Sequence, residues 1–364
     1  MDRETNGILI FLPHVRNRSG IYRYCFGIVR ALSRENVNFQ TTSFPGNLIE
    51  ADLRDVDGIK VAHCETLSLF DLRKIIHEDH IGLVHFLTPD LRSLVAIFFT
   101  PRSVKKILTI HDIYCSRLRF PFLGWRHWIK EKTRSFLLRL IARFSNVSFM
   151  AISEATRRDI TKILHLSPER IRTIYPGTTE YFFQNFPRRE IIPQKYLLSH
   201  FAHLKFFPIL ALFLGRHPDF QMIFFWSNPS FIPPAERRAK ELGIGDKVFF
   251  KSNISDAELA RLYRDAACFV RYVDDEGFGM PVAEAMASGC PVLVSDRGSL
   301  PDVVGIPDVV LPIGATERWM EMLEKIVSDT VFRDALIKKE RARAEELHWN
   351  VTVKKTLDYY EDLL

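Results

Sequence analysis

Two glutamates, Glu276 and Glu284, are the side chains best placed to do chemistry, because both occur in one short glycine-rich and apolar stretch, 275–289. Ionised carboxylates accept strong hydrogen bonds from hydroxyl groups. If the second glutamate lies about one turn into a helix, the rise of about 1.5 Å per residue separates the two carboxylates by about 6 Å or more. That spacing suits two separate hydroxyl pairs on one long ligand, with an anion held between them.

The residues around the two glutamates predict a loop that leads directly into a short helix. Gly277 and Gly279 allow backbone dihedrals that are closed to other residues, and they allow a ligand to approach closely. Pro281 suits the first helical position, and Gly289 suits the residue after the helix. The N-terminus of such a helix directs unpaired N–H groups and a positive dipole end at the loop, which favours a phosphate group.

The composition of this helix distinguishes it from an ordinary surface helix. A glutamate pair alone usually belongs to a solvated helix, but here the helix is largely apolar, so an incidental surface glutamate within it is less expected. Its apolar positions are Met280, Val282, Ala285 and Met286. A buried strand over 291–295 and a polar turn over 296–299 follow. This order of elements is typical of doubly wound α/β domains, whose ligands lie at the carboxyl ends of strands.

The stretch from Glu276 to Val292 reads E-G-F-G-M-P-V-x-E-A-M-A-S-G-x-P-V, and it resembles the donor-site signature of the retaining nucleotide-sugar glycosyltransferases of family 4. The resemblance implies an α/β fold of two facing Rossmann-like domains, the GT-B fold, with an interdomain cleft. It also implies that Glu276 is catalytic and holds hydroxyl groups of the donor sugar, while Glu284 holds the ribose hydroxyls. The other implied donor-binding residues of this loop are Gly277, Phe278, Gly279 and Met280.

The resemblance extends over nearly the whole chain and divides it into three parts. Residues 1–186 are expected to form an N-terminal acceptor-binding Rossmann-like domain, and 187–347 a C-terminal domain that binds the nucleotide sugar. Residues 348–364 are expected to form a helix that crosses back to the first domain. The proline-containing stretch 180–194 shows little periodicity, which predicts an interdomain linker.

The beginning of the chain predicts a strand over 7–12, a polar loop, and an amphipathic helix over 21–34. The family has a glycine pair in this loop, near the acceptor and the donor phosphates, whereas this chain has Ser19-Gly20. On the resemblance, the residues that line the site here are Gly20, Tyr22 and Arg23. The alternative is an ordinary turn between a strand and a helix.

A single histidine, His111, follows a predicted strand over 106–110. A lone histidine at the end of a strand is more often structural than catalytic. Its place at a carboxyl strand end, before a long basic segment, favours a functional role, so the two interpretations are balanced. The pair His111-Asp112 is similar to a segment at the cleft edge of the family 4 enzymes, which implies a catalytic place near the anomeric carbon.

The start of the second domain departs from the family pattern. The family places a glycine and an arginine after the first strand of this domain, and then an Arg-Lys pair that clamps the donor diphosphate. By spacing, this chain has at these positions Ser199, His200, Leu204 and Lys205. Lys205 is then the catalytic cation, and each charge-assisted contact that is lost is typically worth about 1.5–3 kcal/mol. The candidates to compensate are His200, His203 and Arg271.

Residues 117–143 mix many basic side chains with Trp, Phe and Leu. Contact with a membrane interface requires this combination, because aromatic rings anchor at the headgroups and cations attract anionic lipid. The alternative is a basic helix that packs on its own domain and exposes its arginines. The charge would also attract RNA, but the sequence contains no nucleic-acid-binding module, so no nucleic acid partner is expected.

The chain of 364 residues is 47% hydrophobic and 26% charged, which is typical of a soluble globular protein with two domains of ordinary size. Its five cysteines are scattered and odd in number, which indicates reduced thiols in a cytoplasm rather than a disulfide framework or a zinc site. The sequence shows no signal peptide and no apolar run of roughly 20 residues. The net charge of +6 is compatible with anionic substrates, with a membrane surface or with neither. From the cysteines and the basic aromatic segment 117–143 we expect a cytoplasmic protein at the inner face of the cell membrane.

The resemblance implies a hexosyltransferase that moves a sugar from a nucleotide-diphosphate donor, with GDP-mannose as one candidate, to a hydroxyl acceptor. A lipid-linked or lipopolysaccharide (O-antigen) glycan is the expected acceptor, and the anomeric configuration is retained. The leaving phosphate oxygen can accept the acceptor's proton, so the protein must mainly stabilise the charge on the diphosphate. Lys205, the backbone N–H groups of Phe278 and Gly279, and the dipole of the helix near Pro281 are assigned to this task.

Three adjacent acids, Asp274, Asp275 and Glu276, lack a further ligand cluster in the sequence, and the family binds its donor without a metal. Neither a metal nor another cofactor is therefore expected.

Two other functions stay open. A degenerate, non-catalytic scaffold in polysaccharide assembly is favoured by the altered diphosphate clamp and opposed by the intact glutamate pair. A two-domain epimerase or phosphorylase would turn over without an acceptor or with phosphate.

Overall fold

The computed structural model of the chain describes residues 7–13, 20–35, 37–43, 48–53, 59–61, 69–112, 125–144, 146–184, 195–201, 203–226 and 232–364. The chain forms two compact units, one of Met1–Gly177 with Trp349–Leu364 and one of Thr178–His348. Each unit contains one parallel β-sheet flanked by helices, so the predicted fold class, α/β with two Rossmann-like domains, is confirmed.

The sheet of the first unit has seven strands, all in parallel pairs, in the order β3-β2-β1-β4-β5-β6-β7. Its strands are β1 (Gly7–Phe11), β2 (Phe39–Thr42), β3 (Lys60–Val61), β4 (Ile81–Phe86), β5 (Lys105–Ile110), β6 (Val147–Ala151) and β7 (Ile171–Thr173). Every residue of β1 is buried, as a strand covered on both faces requires. The order changes direction between β1 and β4, and ligands of such sheets bind beyond the carboxyl ends of the strands at this point.

Helices of the first unit alternate with its strands. They are α1 (Gly20–Leu32), α2 (Leu48–Leu53), α3 (Leu69–Glu78), α4 (Leu91–Phe99), α5 (Trp125–Phe144), α6 (Glu154–Leu164) and, from the end of the chain, α15 (Trp349–Leu363). Ser153 caps α6, since its Oγ accepts the N–H of Thr156 at 3.0 Å, as the sequence predicts.

The sheet of the second unit has six strands, all in parallel pairs, in the order β10-β9-β8-β11-β12-β13. Its strands are β8 (Lys195–His200), β9 (Phe220–Phe225), β10 (Val248–Lys251), β11 (Cys268–Arg271), β12 (Val292–Ser295) and β13 (Val310–Leu311). Its helices are α7 (Glu180–Phe183), α8 (Phe207–Arg216), α9 (Ile232–Glu241), α10 (Asp256–Asp265), α11 (Met280–Ala287), α12 (Leu300–Val304), α13 (Thr316–Ser328) and α14 (Thr330–Glu345). The direction changes between β8 and β11, which are neighbours.

Helix α15 belongs to the first unit, although it follows the second unit in the chain. Two glycines make room for its first residue, Trp349. A Cβ atom on Gly27 would lie 2.2 Å from Trp349 Cζ2, and one on Gly177 would lie 2.4 Å from Trp349 Cα. The Thr352 hydroxyl donates to the carbonyl of Tyr175 at 2.8 Å. The residues that receive α15 therefore come from α1 and from the segment after β7.

The boundaries between the units fall after residue 177, nine residues before the bound of 186 expected from the sequence, and after residue 348, one residue beyond the expected 347. The prediction of a linker over 180–194 is wrong for its first part, because Glu180–Phe183 form α7 and Phe182 is buried in the second unit. Residues 185–194 lie outside the described residues.

Three of the cysteines, Cys25, Cys268 and Cys290, are free and buried, and the other two lie outside the described residues. Among the helices that the structure describes, none combines the length and the apolar character that crossing a membrane requires.

Candidate functional site

The loop between β11 and α11 follows the carboxyl end of a strand at the change of direction in the second sheet. Gly279 is the N-cap of α11 and has a φ of +88°, a left-handed conformation that favours glycine. Pro281 lies in the first turn of the helix, and Gly289, with a φ of +73°, follows its end as predicted. The sequence therefore predicted the loop, the helix and its C-terminal end, whereas the helix begins one residue earlier than expected, at Met280.

The carboxylate of Glu276 in this loop forms an ion pair with Arg271, the last residue of β11. Arg271 donates to Glu276 Oε2 twice, from Nε at 2.9 Å and from Nη2 at 2.5 Å. The third nitrogen of the guanidinium, Nη1, donates to the carbonyl of His200, the last residue of β8. Arg271 thus connects the two strands at the change of direction and is only 9% exposed. The sequence indicates Arg271 only as one candidate ligand of the diphosphate, so this ion pair was not predicted.

The backbone of Glu276 is held as firmly as its side chain. Its N–H donates to Asp275 Oδ1 at 2.9 Å, and its carbonyl accepts from the N–H of Ser299 at 3.0 Å. The turn that supplies Ser299 fits only with a glycine beside it, because Gly298 has a φ of +56° and a Cβ there would lie 2.3 Å from the Glu276 carbonyl oxygen. The polar turn over 296–299 therefore supports this loop.

The second glutamate, Glu284, lies on α11 and is 4% exposed. The hydroxyl of Tyr263, on α10, donates to its Oε2 at 3.2 Å. Neither glutamate projects freely into solvent. Both carboxylates have their orientation fixed by another side chain of the second unit, which is the behaviour expected of a built site rather than of a solvated helix surface.

Lys205 follows β8 and forms an ion pair with Asp274, with Nζ at 3.1 Å from Oδ1 and 3.0 Å from Oδ2. Asp274 also lies 3.1 Å from His203 Nε2. Partial burial raises the pKa of the Asp274 carboxyl, but the hydrogen bonds and charges of Lys205 and His203 outweigh that effect and hold it below its ordinary value. Lys205, the cation predicted for the diphosphate, is therefore paired with Asp274, and this pair was not predicted from the sequence.

The backbone after β8 adopts a glycine-like conformation without a glycine. Phe201 has a φ of +76°, and its ring packs on that of Trp226 with 4.0 Å between the centroids. The ring of His200 also stacks on Trp226, with 5.3 Å between the centroids and an interplanar angle of 1°. Leu204, at the place of a family cation, is 45% exposed. An aromatic cluster thus occupies this strand end, while residues 227–231 lie outside the described residues.

In the first unit His111 follows β5 directly and is half-buried. Its Nε2 lies 2.9 Å from the carbonyl of Leu87, so Nε2 must carry the proton of that hydrogen bond. Burial lowers the pKa of His111, with the Leu87 carbonyl and Asp112 opposing that effect. The ring also meets the edge of Tyr24, at 4.7 Å between centroids. The geometry therefore leaves Nδ1 of a neutral His111 as a hydrogen-bond acceptor.

A second histidine, His85 on β4, was not predicted as part of any site. It is fully buried, with Nδ1 at 2.6 Å from the hydroxyl of Tyr360 on α15 and Nε2 at 2.7 Å from the hydroxyl of Thr109. Burial, and to a smaller extent the charge of His111, lowers its pKa to about 3. A neutral imidazole therefore joins α15 to the first sheet.

The three residues predicted to line the first loop begin α1. Gly20 has open space where a Cβ would project, so nothing described requires a glycine there. Tyr22 is buried and its hydroxyl donates to Asp52 on α2, which is a structural contact. Arg23 is half-buried at the fourth position of the helix. Residues 14–19, the rest of this loop, lie outside the described residues.

The second unit therefore presents, at one strand edge, a fixed carboxylate, a buried second carboxylate and a helix N-terminus. Such a set can accept hydrogen bonds from the hydroxyl groups of a sugar nucleotide and donate them to its phosphates. In the part of the chain that the structure describes, no group of three or more His, Cys, Asp and Glu side chains is arranged to hold a metal ion.

Comparison with protein families gives two adjacent matches. Residues 18–180 match the family described as Glycosyltransferase Family 4, and residues 194–343 match the family described as Glycosyl transferases group 1. Together the two matches include most of both units. The second includes every residue of the β11–α11 site.

Curated relatives match over part of their length. The chain is 29% identical over 230 residues to an MMP α-(1→4)-mannosyltransferase of Mycolicibacterium hassiacum, which is 58% of this chain and 53% of that protein. It is 28% identical over 200 residues to the O-antigen chain mannosyltransferase RfbU of Salmonella typhimurium, which is 54% of this chain and 53% of that protein. The chain thus spans about half the length of these curated relatives.

Among solved structures, the complex of Anabaena HepE with UDP superimposes with a TM-score of 0.79. The superposition includes 99% of this chain and 100% of the other, at 15% identity. This likeness shows the fold, with two Rossmann-like domains in one chain.

Proposed function

We propose that this chain is a family 4-type glycosyltransferase that transfers a hexose from a nucleotide diphosphate to a hydroxyl acceptor with retention of the anomeric configuration. The observation that carries the proposal is the fixed carboxylate of Glu276 at the N-terminus of α11. This arrangement supplies an acceptor for sugar hydroxyls beside amides suited to a diphosphate. The loop lies within the region that matches a glycosyltransferase family.

In the proposed reaction the acceptor's hydroxyl oxygen forms a bond to the anomeric carbon, while the bond from that carbon to the β-phosphate oxygen breaks. The departing oxygen takes the proton of the acceptor hydroxyl, so the products are a glycoside and a nucleoside diphosphate. Negative charge develops on the diphosphate, and fixed donors at that position lower the barrier. We assign this task to Lys205 and to the N–H groups of Phe278 and Gly279, with no metal or other cofactor.

Within the second unit we assign Glu276 to a donor-sugar hydroxyl and Glu284 to the ribose. The Glu284 carboxylate accepts a hydrogen bond from Tyr263 that orients it. In the first unit the proposed contributors are His111, through its unprotonated Nδ1, and Arg23 of α1. A neutral His111 is suited to accept a hydrogen bond from a hydroxyl group.

The donor and acceptor are proposed from the relatives. Two of them are named mannosyltransferases, one of them for an O-antigen chain, which favours GDP-mannose and a lipid-linked or lipopolysaccharide glycan. The structure of Anabaena HepE was solved with UDP, so uridine nucleotides are also included in the test.

A peripheral contact with an anionic membrane is proposed for α5, on the cytoplasmic side. Its exposed residues include Trp128, Ile129 and Phe136, the last 64% exposed, next to Lys130 and Lys132. The acid on this helix, Glu131, is turned to Arg134 at 2.9 Å. Exposed aromatic and basic side chains together are the combination that binds to anionic headgroups. Residues 117–124 of the predicted segment lie outside the described residues.

Sedimentation with vesicles tests this contact. Binding to vesicles that contain phosphatidylglycerol, but not to pure phosphatidylcholine, is expected, and Phe136→Glu should weaken it. Equal binding to both compositions, or none to either, would contradict the proposed surface.

The transferase proposal is tested first by calorimetry and thermal shift with GDP, GDP-mannose, UDP and UDP-glucose. The nucleotide sugar that binds is then offered with vesicles that carry polyprenyl-diphosphate-linked glycans, and the anomeric configuration of the product is read by NMR. A wild-type chain that binds none of the four nucleotides would contradict the proposal, as would a product of inverted configuration.

The variant Glu276→Gln examines the residue on which the proposal depends. We expect turnover to fall by about 100-fold, because a charge-assisted hydrogen bond of about 1.5–3 kcal/mol is lost, while both units stay folded. Glu324→Gln is the matched control, since Glu324 is also paired with an arginine of the second unit, at 2.6 Å, and lies on α13. Unchanged turnover in Glu276→Gln would remove Glu276 from the mechanism.

A second function, a non-catalytic scaffold, is favoured by one observation. The cations Lys205 and Arg271 are both engaged by carboxylates of the chain, Asp274 and Glu276. A scaffold need not bind a nucleotide, so the calorimetry described above separates the two functions.

A further inference from the structure

Glu276 is held by Arg271 through one of its two oxygens. Both hydrogen bonds from the guanidinium, at 2.9 and 2.5 Å, end on Oε2. Within the described part of the chain, Oε1 accepts no hydrogen bond. The carboxylate is therefore fixed in orientation while one oxygen stays available to a ligand.

Arg271 is itself held in place by the fold. It lies in β11, which pairs with β8, and its Nη1 donates to the carbonyl of His200 at the end of β8. All three guanidinium nitrogens thus donate to atoms of the second unit. A planar guanidinium with fixed partners has little freedom to turn toward another ligand.

The charges of this pair are largely withdrawn from water, with the Arg271 side chain 10% and the Glu276 side chain 19% exposed. A charge at such a depth is costly without its partner, so each residue requires the other. The exposed pair of Lys205 and Asp274, at 62% and 52%, has no such dependence.

We propose that Arg271 is a positioning residue of the donor site, which acts through Glu276 and does not contact the diphosphate. It turns the carboxylate so that Oε1 meets a single hydroxyl group of the donor sugar. The inference rests on the proposed glycosyltransferase function. It replaces the assignment of Arg271 as a substitute diphosphate ligand.

The two roles of Arg271 predict different binding behaviour. If Arg271 acts through Glu276, its loss weakens binding of the nucleotide sugar, because the contact with the sugar is lost. The affinity for the nucleoside diphosphate, which has no sugar at this position, stays unchanged. If Arg271 contacts the diphosphate, its loss weakens both ligands by the same factor. Calorimetry with GDP and GDP-mannose, and with UDP and UDP-glucose, measures these factors directly.

The test compares four forms of the full chain: wild type, Arg271→Met, Glu276→Gln and the double variant. We expect Arg271→Met to reduce turnover by about 30-fold or more, as the loss of a correctly placed charged contact does. The affinity for GDP or UDP should change by less than about twofold. The double variant should turn over no more slowly than Glu276→Gln alone, because both substitutions remove the same contact.

The matched control is Arg343→Met. Arg343 also joins a carboxylate, that of Glu346, to backbone carbonyls, those of Asp302 and Val303, but it lies on α14. Its loss should leave turnover near the wild-type value. Equal losses in Arg343→Met and Arg271→Met would show a general effect on the second unit and overturn the proposal.

A second variant, Arg271→Lys, keeps the charge if Arg271→Met does not fold. One ammonium group cannot reproduce the planar fork that holds both Oε2 and the His200 carbonyl, so an intermediate loss of turnover is expected. Full turnover in Arg271→Lys would overturn the proposal, and so would a tenfold loss of GDP or UDP affinity in either variant. A wild-type chain that binds no nucleotide would overturn the glycosyltransferase function and this inference together.

Discussion

The two sheets carry polar side chains at their carboxyl edges in two different chemical states. In the first unit His85 is fully buried and neutral, between the hydroxyls of Thr109 and Tyr360. In the second unit the corresponding edge holds ion pairs that stay partly open to solvent, such as Arg271 with Glu276. Neutral groups can be buried at modest cost when each finds a partner, whereas charges require both a partner and some water.

This difference indicates that the polar groups at the two sheet edges have different roles. The neutral contacts of the first unit attach α15 to the sheet and so serve its architecture. The ion pairs of the second unit present charged atoms that a ligand can reach. Proton binding and salt should therefore affect the two units differently, and the following experiments test this difference from its largest expected effect to its smallest.

Acid should weaken the first unit through His85. The unfolded chain binds a proton at this histidine below about pH 6.5, whereas the folded chain does so only near its pKa of about 3. The free energy of unfolding of this unit should therefore fall by about 1.4 kcal/mol for each pH unit below pH 6.5. His85→Gln should remove this contribution.

Hydrogen exchange, corrected for intrinsic rates between pH 4 and 7, measures each unit separately, which global unfolding of a two-unit protein does not. Tyr360→Phe is the control, because it removes a hydrogen bond of His85 but leaves its proton binding. That variant should lose about 1 kcal/mol at every pH. If the free energy of unfolding depended on pH equally in wild type and in His85→Gln, His85 would not be the source of the acid sensitivity.

The second largest effect is expected where α15 meets α1. Gly27→Ala places a Cβ 2.2 Å from Trp349 Cζ2 and 2.5 Å from Cε2, so the indole ring must move. Overpacking of this kind typically costs 1–3 kcal/mol, and we expect about 3 kcal/mol here because Trp349 is also confined by Gly177. Faster exchange in α15 and a shift of tryptophan fluorescence would report the displacement.

Gly215→Ala provides the comparison for this substitution. Gly215 lies inside α8 and has open space at its Cβ position, so alanine should stabilise that helix by about 0.5–1 kcal/mol. Similar small gains at both glycines would show that Trp349 is not confined as described.

Base should weaken the second unit through a buried carboxyl, Glu340 of α14. Burial raises its pKa well above the ordinary value, although the N–H of Val292, at 3.0 Å from Oε1, opposes the rise. Above about pH 4.3 the unfolded chain releases this proton while the folded chain keeps it, so stability falls with rising pH by about 1.4 kcal/mol per unit. This dependence is opposite in sign to that of His85.

Glu340→Gln keeps the acceptor for Val292 and removes the ionisation. The free energy of unfolding measured by exchange in β12 and α14 should then no longer depend on ionisation at position 340. Compared with wild type, the variant should be about equally stable at pH 4, and its advantage should grow by about 1.4 kcal/mol between pH 5 and 6. A wild-type chain whose second unit is equally stable at pH 5 and pH 8 would show that Glu340 ionises in place.

The sequence predicted those parts of the fold and site that depend on local patterns. Continuous apolar runs marked β4 and β11, and glycine spacing marked the loop with Gly279 and the helix end at Gly289. The strand β2 was not predicted, since its threonines, including the fully buried Thr41 and Thr42, look polar in sequence. Their burial depends on the layers above and below the sheet, which local composition does not reveal.

The contacts of the site depend on pairing across the sheet, and these were missed. His85 meets Tyr360 across 275 residues, and Lys205 meets Asp274 across 69. Even Arg271 and Glu276, five residues apart, meet only because the loop folds back over the end of β11. The residue types predicted a donor site, whereas the partners of its charged groups depend on the fold.

The smallest effect is expected at the exposed ion pair of Lys205 and Asp274. With side chains 62% and 52% exposed, the pair should add less than about 0.5 kcal/mol to stability. Asp274→Asn should nevertheless free the ammonium group for a diphosphate, so affinity for GDP or UDP should rise by about threefold at low salt. The gain should disappear near 1 M salt, where screening is nearly complete.

Asp219→Asn is the control, because Asp219 forms a similar exposed pair with Lys195, at 3.0 Å, at the opposite end of β8. It should leave nucleotide affinity unchanged. If Asp274→Asn weakens binding instead, then Asp274 orients Lys205 toward the diphosphate and does not compete with it. The second edge would then resemble the first, with each polar group fixed by the fold before any ligand arrives.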